Sequence, residues 1–193
     1  MSGEATTHDP MVLPPGLPVP EDDGACDHLP GTAVPPVPLP ATDGTAVDLS
    51  APHPGRTVVY AYPRTGRPGR GPTPGWDQIP GARGCTPESC GFRDRHAELG
   101  DLGARVFGLS TQTTDDQREM VARLEAPFAV LSDAELRFAR ALDLPTFEVE
   151  GKVLIKRLTL VIREGRIEHV FYPVFPPDTH AGAVADWLMH NPL

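Results

Sequence analysis

The chain has 193 residues and a formal net charge of −9, with 39% hydrophobic and 22% charged residues and a mean hydropathy of −0.24. That is the balance of a soluble globular domain large enough to bury its own core, and the acidic charge disfavours a nucleic-acid partner. No apolar run approaches the ~20 residues of a membrane helix, the first ten residues lack the basic start and apolar core of a secretory signal, and cytoplasmic placement is the resulting expectation.

Seventeen of the 24 prolines fall in the first 80 residues. Residues 1–34, rich in Pro, Gly and acid, are expected to form an extended N-terminal arm, with one domain over 35–193. A hairpin is expected next: Val37-Pro38-Leu39 and residues 45–49 flank Asp43-Gly44, a strong turn signal. The β-branched and aromatic run Arg56-Thr57-Val58-Val59-Tyr60-Ala61-Tyr62 predicts a buried strand stopped by Pro63. Residues 64–84 form a long Gly/Pro-rich loop. Thr86-Pro87-Glu88 then opens a helix to about Gly100, with Thr86 as its cap and Glu88 complementing the dipole. Beyond it the pattern predicts a strand over 105–109, a helix capped by Thr114 and running to about 124, a strand over 128–131 and a helix capped by Asp133. A hairpin of 157–162 and 167–171 around Glu164-Gly165 and a last helix over 178–189 complete the chain. This alternation argues an α/β fold, a central mixed sheet flanked by helices.

The chemistry-bearing segment is Ala82-Arg83-Gly84-Cys85-Thr86-Pro87-Glu88-Ser89-Cys90. Three cysteines, Cys26, Cys85 and Cys90, are too few and too odd in number for a secreted disulfide scaffold. Cys85 falls at a helix start, where free N–H groups and the dipole favour an anion and lower a thiol pKa, with Arg83 or a distant Arg adding to the effect. Cys85, Ser89, Phe92, His96 and Leu99 share a helical face that should point inward; Cys90 falls on the opposite side with Asp94, Ala97 and Asp101. Two helical residues five apart are separated by ~140° and roughly 8.7 Å between Cα atoms, whereas a disulfide needs less than about 7 Å. A Cys85–Cys90 bond would therefore require the helix start to unwind. The bland alternatives are a small apolar core cysteine and a zinc ligand; without a CxxC or HExxH pattern, no metal site is expected. Cys26 reads as an incidental thiol of the arm, unless a mobile arm carries it to Cys85.

These residues, with Tyr60-Ala61-Tyr62-Pro63 before them and Gly91-Phe92-Arg93-Asp94 after them, resemble the peroxiredoxins, in particular the bacterioferritin-comigratory or Q-type class. The likeness continues through Val106-Phe107-Gly108-Leu109-Ser110-Thr111, Leu131-Ser132-Asp133, Arg157 at the head of 158–162, and Gly165-Arg166-Ile167-Glu168-His169-Val170-Phe171, covering about 35–190. It implies a thioredoxin-like fold and thiol peroxidase activity on hydrogen peroxide or organic hydroperoxides without metal, haem or flavin. It also implies Cys85 as the peroxidatic and Cys90 as the resolving cysteine, with a Cys85–Cys90 disulfide. Arg157 would stand against thiolate and peroxide, Glu88 would orient it, and Pro63 would shield the pocket. The reductant would be thioredoxin or a low-molecular-weight thiol, and the chain a monomer or homodimer.

Two departures stand out. The family pattern sets its proline seven residues before the cysteine, whereas Pro63 and Cys85 are 22 apart; and Ala82 stands where the family has a hydroxyl residue. Thr65 or backbone N–H groups are the candidate replacements. The enlarged loop, with Arg64, Arg67, Arg70 and Trp76, should border the pocket. A redox sensor or protein-binding module with little turnover is the alternative on the same fold, and a thiol–disulfide oxidoreductase a third, disfavoured by the missing CxxC.

Overall fold

The computed structural model describes residues 9–193, so residues 1–8 of the arm lie outside it. Strands are β1 (Pro38–Pro40), β2 (Ala46–Asp48), β3 (Arg56–Ala61), β4 (Ala104–Ser110), β5 (Val130–Ser132), β6 (Thr146–Val149), β7 (Lys152–Ile155), β8 (Leu158–Arg163) and β9 (Arg166–Phe171). Helices are α1 (Cys85–Asp94), α2 (His96–Asp101), α3 (Thr114–Leu124), α4 (Arg137–Ala141) and α5 (His180–His190), with short 3-10 turns at Trp76–Gln78 and Pro177–Thr179.

A five-stranded sheet in the order β5-β4-β3-β8-β9 divides the core. β3, β4 and β5 run parallel to one another, β8 runs antiparallel to β3, and β9, antiparallel to β8, runs in the direction of β3 again. The alternation of a strand sorts β3 onto two faces. Val59 and Ala61 pack with Leu109, Leu131, Leu160 and Phe138. Val58, Tyr60 and Tyr62 pack with Phe92, Leu99, Met120 and Val184, from α1, α2, α3 and α5. β3 is therefore buried along its whole length, as its continuous apolar and β-branched composition requires. The Tyr60 ring lies over β4 so closely that a Cβ on Gly108 would meet it at 3.0 Å.

The register decides where the site forms. β3 runs into the loop that ends at α1, and the antiparallel pairing sets Leu158 opposite Ala61. Arg157, one residue before, is thereby delivered to the end of β3 where α1 begins.

Several boundaries differ from the sequence reading, each for a local reason. The cap of α1 is Gly84, not Thr86, which lies one residue inside the helix. The helical run breaks at Arg95, giving α1 and α2 in place of one helix to Gly100. α3 is capped by Thr113, whose hydroxyl accepts from the N–H of Asp116. The cap position of α4 is Leu136, not Asp133, although the two carboxylate oxygens of Asp133 accept from the N–H groups of Phe138 (3.0 Å) and Ala139 (2.8 Å). The β6–β7 hairpin is an element the sequence pattern does not predict; Glu150-Gly151 turns it with positive φ values, 53° and 73°, close to those of Glu164-Gly165 (52° and 71°).

The arm lies against the core. Leu29 and Val34 are buried in the Val59 cluster, and residues 31–34 exchange backbone bonds with Gly165 and Ile167 beside β9. Cys26 is 6% exposed in that same cluster, across the sheet from Cys85 and Cys90. Burial, with Asp23, Asp22 and Asp27 nearby, pushes its thiol up to about 12.

At the C-terminal end, Arg56 is buried at the head of β3. Its Nε donates to Glu168 (2.6 Å), its Nη1 to the carbonyl of Asn191 (2.5 Å), and it lies 5.1 Å from the Trp187 ring. These contacts tie β9 and α5 to the central strand. His180, between Phe92 and Phe171, pairs its Nε2 with the Thr159 hydroxyl at 2.8 Å. Burial, with the charge of Arg157 adding, lowers its pKa to about 3. The unfolded chain takes up this proton near pH 6.5 and the native one only near 3, so stability must fall as pH drops through that window. We expect His180→Asn to be less stable at pH 7 but to lose less on acidification, its pH slope between 6 and 4.5 being smaller by about one proton, as measured by urea unfolding.

Candidate active site

The site is built at the first turn of α1. Tyr60 of β3 fixes this helix: its ring stacks on Phe92 with centroids 4.3 Å apart, and its hydroxyl donates to Ser89 Oγ at 3.0 Å. Gly84 caps the helix at φ 107°, a left-handed conformation that side chains resist. A Cβ there would also sit 2.3 Å from Pro177 Cγ. The turn leaves Cys85 as the first helical residue, where intrahelical bonding cannot engage its N–H or that of Thr86, and Pro87 has none to spare.

Arg157 closes the arrangement from behind. Its Nη2 lies 3.2 Å from Cys85 Sγ, and Nη1 is bonded to Glu88 Oε2. Nε donates to the carbonyl of Gly81 (3.2 Å), and Nη2 also to those of Ala82 (3.1 Å) and Arg83 (3.3 Å). Arg157 and Glu88 are almost wholly buried, and a buried guanidinium needs such a complete set of acceptors. Cys85 Sγ itself approaches the Ala82 carbonyl at 3.6 Å.

Burial pushes the Cys85 thiol up; the charge of Arg157 opposes this, the charge of Glu88 adds to it, and hydrogen bonds from Arg157 and the Arg64 N–H pull it down. The expectation of a lowered thiol pKa counted the helix terminus and cations but not the enclosure that folding adds. Glu88 is raised to about 7 by burial, against the pull of Arg157. Its second oxygen, Oε1, has no hydrogen-bond partner among the described residues. The net direction for the Cys85 thiol is up, with Arg157 the main pull toward the anion.

A cavity of about 370 Å³ opens over the sulfur, lined by Cys85, Thr86, Thr65, Trp76 and the cations of the long loop. Cys85 itself is 4% exposed, at the floor. Thr65 lines this cavity, but its hydroxyl donates to Gln112 Oε1 (3.3 Å), as does its N–H (2.9 Å). The donor that reaches Cys85 from this loop is therefore the backbone of Arg64, not a threonine hydroxyl. Pro63 and Glu88, expected to line the pocket, are both buried beneath it instead. Pro63 ends the buried run that begins in β3, and Glu88 faces inward to Arg157.

Residues 64–84 are fastened at several points. Trp76 is buried against Ala82 and Leu154, with Phe147 at 6.3 Å between ring centroids. Arg64 lies 4.7 Å over the Trp76 ring and 3.5 Å from Glu150. Arg67 pairs with Asp116 at 2.7 Å, and Arg123 donates to the Gly66 carbonyl at 3.2 Å. The β6–β7 hairpin thus serves as the shelf on which this loop rests.

Cys90 is also on α1, and both thiols are free. Contrary to the expectation of an outward-facing residue, it is 7% exposed and belongs to the apolar cluster of α1 and α3. α3 covers that side of the helix, with Arg93 donating to the carbonyl of Leu124 at 3.0 Å. Burial raises the Cys90 thiol too, opposed by Arg93 and Arg123. The His96 ring is partly buried beside Phe128, with centroids 5.9 Å apart.

The Redoxin family model matches residues 29–186, most of the chain, and the protein belongs to that family. Its resemblance within the family is to the peroxiredoxins of the Q/Bcp class. It is 29% identical over 165 residues to peroxiredoxin Bcp of Escherichia coli K12, covering 83% of this chain and 96% of that one. To a putative chloroplastic peroxiredoxin Q of rice it is 28% identical over 152 residues, 79% of this chain but 63% of that longer protein. Among solved structures, peroxidoxin BcpB of Mycobacterium tuberculosis superposes with a TM-score of 0.67 at 27% identity, covering 84% of this chain and 98% of that one. PrxQ of Xylella fastidiosa shares the fold, with a TM-score of 0.69 at 22% identity over 85% of this chain and 98% of that one. Among the described residues, no helix is long and apolar enough to cross a membrane.

Because the thiolate depends on Arg157, Arg157→Gln should displace the pH profile of Cys85 alkylation by iodoacetamide upward by about one unit or more. Thiolate fraction rises with pH, so the variant should react more slowly at neutral pH and recover in alkali. The measurement is made with Cys26 and Cys90 replaced by Ser.

Proposed function

We propose that the chain is a thiol peroxidase that reduces hydrogen peroxide or organic hydroperoxides at Cys85. The observation that carries this reading is the Cys85 sulfur at the floor of an open cavity, 3.2 Å from the buried guanidinium of Arg157.

Cys85, as its thiolate, attacks the nearer peroxide oxygen in line. The O–O bond breaks, the sulfur is oxidised to sulfenic acid, and the leaving oxygen departs as water or an alcohol carrying the proton that the thiol gave up. Negative charge spreads over both oxygens during this transfer. Arg157 and the N–H groups of Arg64, Cys85 and Thr86 are the fixed donors near the sulfur for it. Glu88 holds the guanidinium in place. Cys90 then condenses with the sulfenic acid, forming the Cys85–Cys90 disulfide and releasing water. Both residues lie within the continuous helix α1, so the bond requires its first turns to open. Thioredoxin or a low-molecular-weight thiol then restores both thiols by exchange. The cytoplasmic setting belongs to the same proposal, supported by a cysteine count too small and odd for a secreted disulfide scaffold.

Steady-state peroxide consumption with a dithiol reductant tests the reading. Cys85→Ser should reduce it to the uncatalysed rate. Cys90→Ser should consume about one equivalent and stop with a sulfenic acid or mixed disulfide, read by intact mass. Wild-type protein that oxidises once but fails to turn over would leave the sensor alternative in its place.

A further inference from the structure

The head of α1 is held from outside as well as from within. Gly84 is approached by Pro177 and, at 2.9 Å from the Cβ it lacks, by the Leu13 side chain of the N-terminal arm. The turn containing Pro177 also presses farther along the same helix, where a Cβ on Gly91 would stand 3.4 Å from the Asp178 carbonyl. One residue before Gly84, Arg83 sends its Nη2 to two carbonyls of the arm, Asp9 (2.9 Å) and Val12 (3.1 Å). Its Nη1 meets the Asp77 carboxylate at 3.2 Å. The arm is shaped for this grip: the Asp9 carboxylate accepts the Met11 N–H (2.8 Å), and the Val12 N–H returns to the Asp9 carbonyl (3.2 Å). That turn presents both carbonyls to one guanidinium. Residues 9–13 are thus fastened to Arg83 and Gly84, the pair that must move when the first turn of α1 opens. The reaction with peroxide itself makes no use of these contacts.

We propose that residues 9–13 are a latch that sets how fast the first turn of α1 opens, and so which of two fates the Cys85 sulfenic acid meets. The inference rests on the peroxidase reading above. In one fate the Cys90 thiol attacks the sulfenic sulfur, the S–S bond forms, the S–O bond breaks and the oxygen leaves as water. In the other the sulfenate attacks a second hydroperoxide, whose O–O bond breaks; water or alcohol leaves, and the sulfur becomes sulfinic acid. The first fate needs an open turn and the second a closed one. A grip on Gly84 therefore slows disulfide formation and exposes the enzyme to inactivation at high peroxide. Leu13 and Arg83 are positioning residues in this scheme.

The test uses the full chain with Leu13→Ala, a half-buried position outside the cavity lining, and separately Arg83→Lys, which keeps the charge but loses the fork that grips two carbonyls. Reduced protein is mixed with hydrogen peroxide, quenched and resolved by intact mass. Oxidation of Cys85 in Leu13→Ala should match wild type within about twofold. Disulfide formation should be faster by about three- to tenfold in both variants, as for loosening one local contact set, and the peroxide concentration giving half sulfinic acid should rise by the same factor. Amide exchange over residues 84–90 of the reduced protein should quicken in parallel. Disulfide formation at the wild-type rate in either folded variant overturns the latch and leaves the peroxidase reading standing. Wild-type protein that forms a sulfenic acid but never a Cys85–Cys90 bond overturns both the latch and the resolving step.

Discussion

A guanidinium sealed inside a protein must find anions and dipoles for all its N–H groups, and the site is organised around that demand. Arg157 is satisfied by one carboxylate, one sulfur and three successive carbonyls, those of Gly81, Ala82 and Arg83. The three carbonyls immediately precede the left-handed curl at Gly84 by which the chain enters α1. The same curl places the next residue, Cys85, where its sulfur becomes the remaining ligand of the cation. Cation, cap and nucleophile are one arrangement, and losing a partner would leave a buried charge uncompensated, at a cost of several kcal/mol.

The sulfur's environment is a balance of opposed effects. Enclosure and the Glu88 charge favour the neutral thiol; Arg157 and the Arg64 N–H favour the anion. A hydroxyl at position 82 would have added one more donor, but Ala82 contributes only its backbone. The long loop makes up part of the difference, because its anchorage through Trp76, Phe147 and Glu150 holds the backbone of Arg64 against the sulfur. That loop costs conformational entropy, offset by the small apolar cluster it builds on the β6–β7 hairpin.

Disulfide formation and a stable helix start are opposed requirements. α1 is packed through Phe92 and Ser89 onto Tyr60, through Gly84 and Gly91 onto the 177–179 turn, and through Cys90 into the cluster shared with α3. Each contact helps fix the position of Cys85 and opposes the open form that the proposed Cys85–Cys90 bond would need. The proposed joining of two parts of one helix would need this element near the low end of local stability.

What the sequence determined by itself was local. A continuous β-branched run made β3 a central strand, Glu164-Gly165 set the β8–β9 hairpin, and Thr-Pro-Glu after Cys85 placed that cysteine at a helix start. These signals act between residues a few positions apart, and they survive in any tertiary context. The partnership of Cys85 with Arg157 was legible only through family resemblance, because it depends on antiparallel register between strands distant in the chain. The burial of Cys90, the use of Thr65 by Gln112, the donor at Arg64 and the arm's hold on Arg83 were decided by packing. A helical wheel shows which residues share a side, but which side is covered depends on what folds against it.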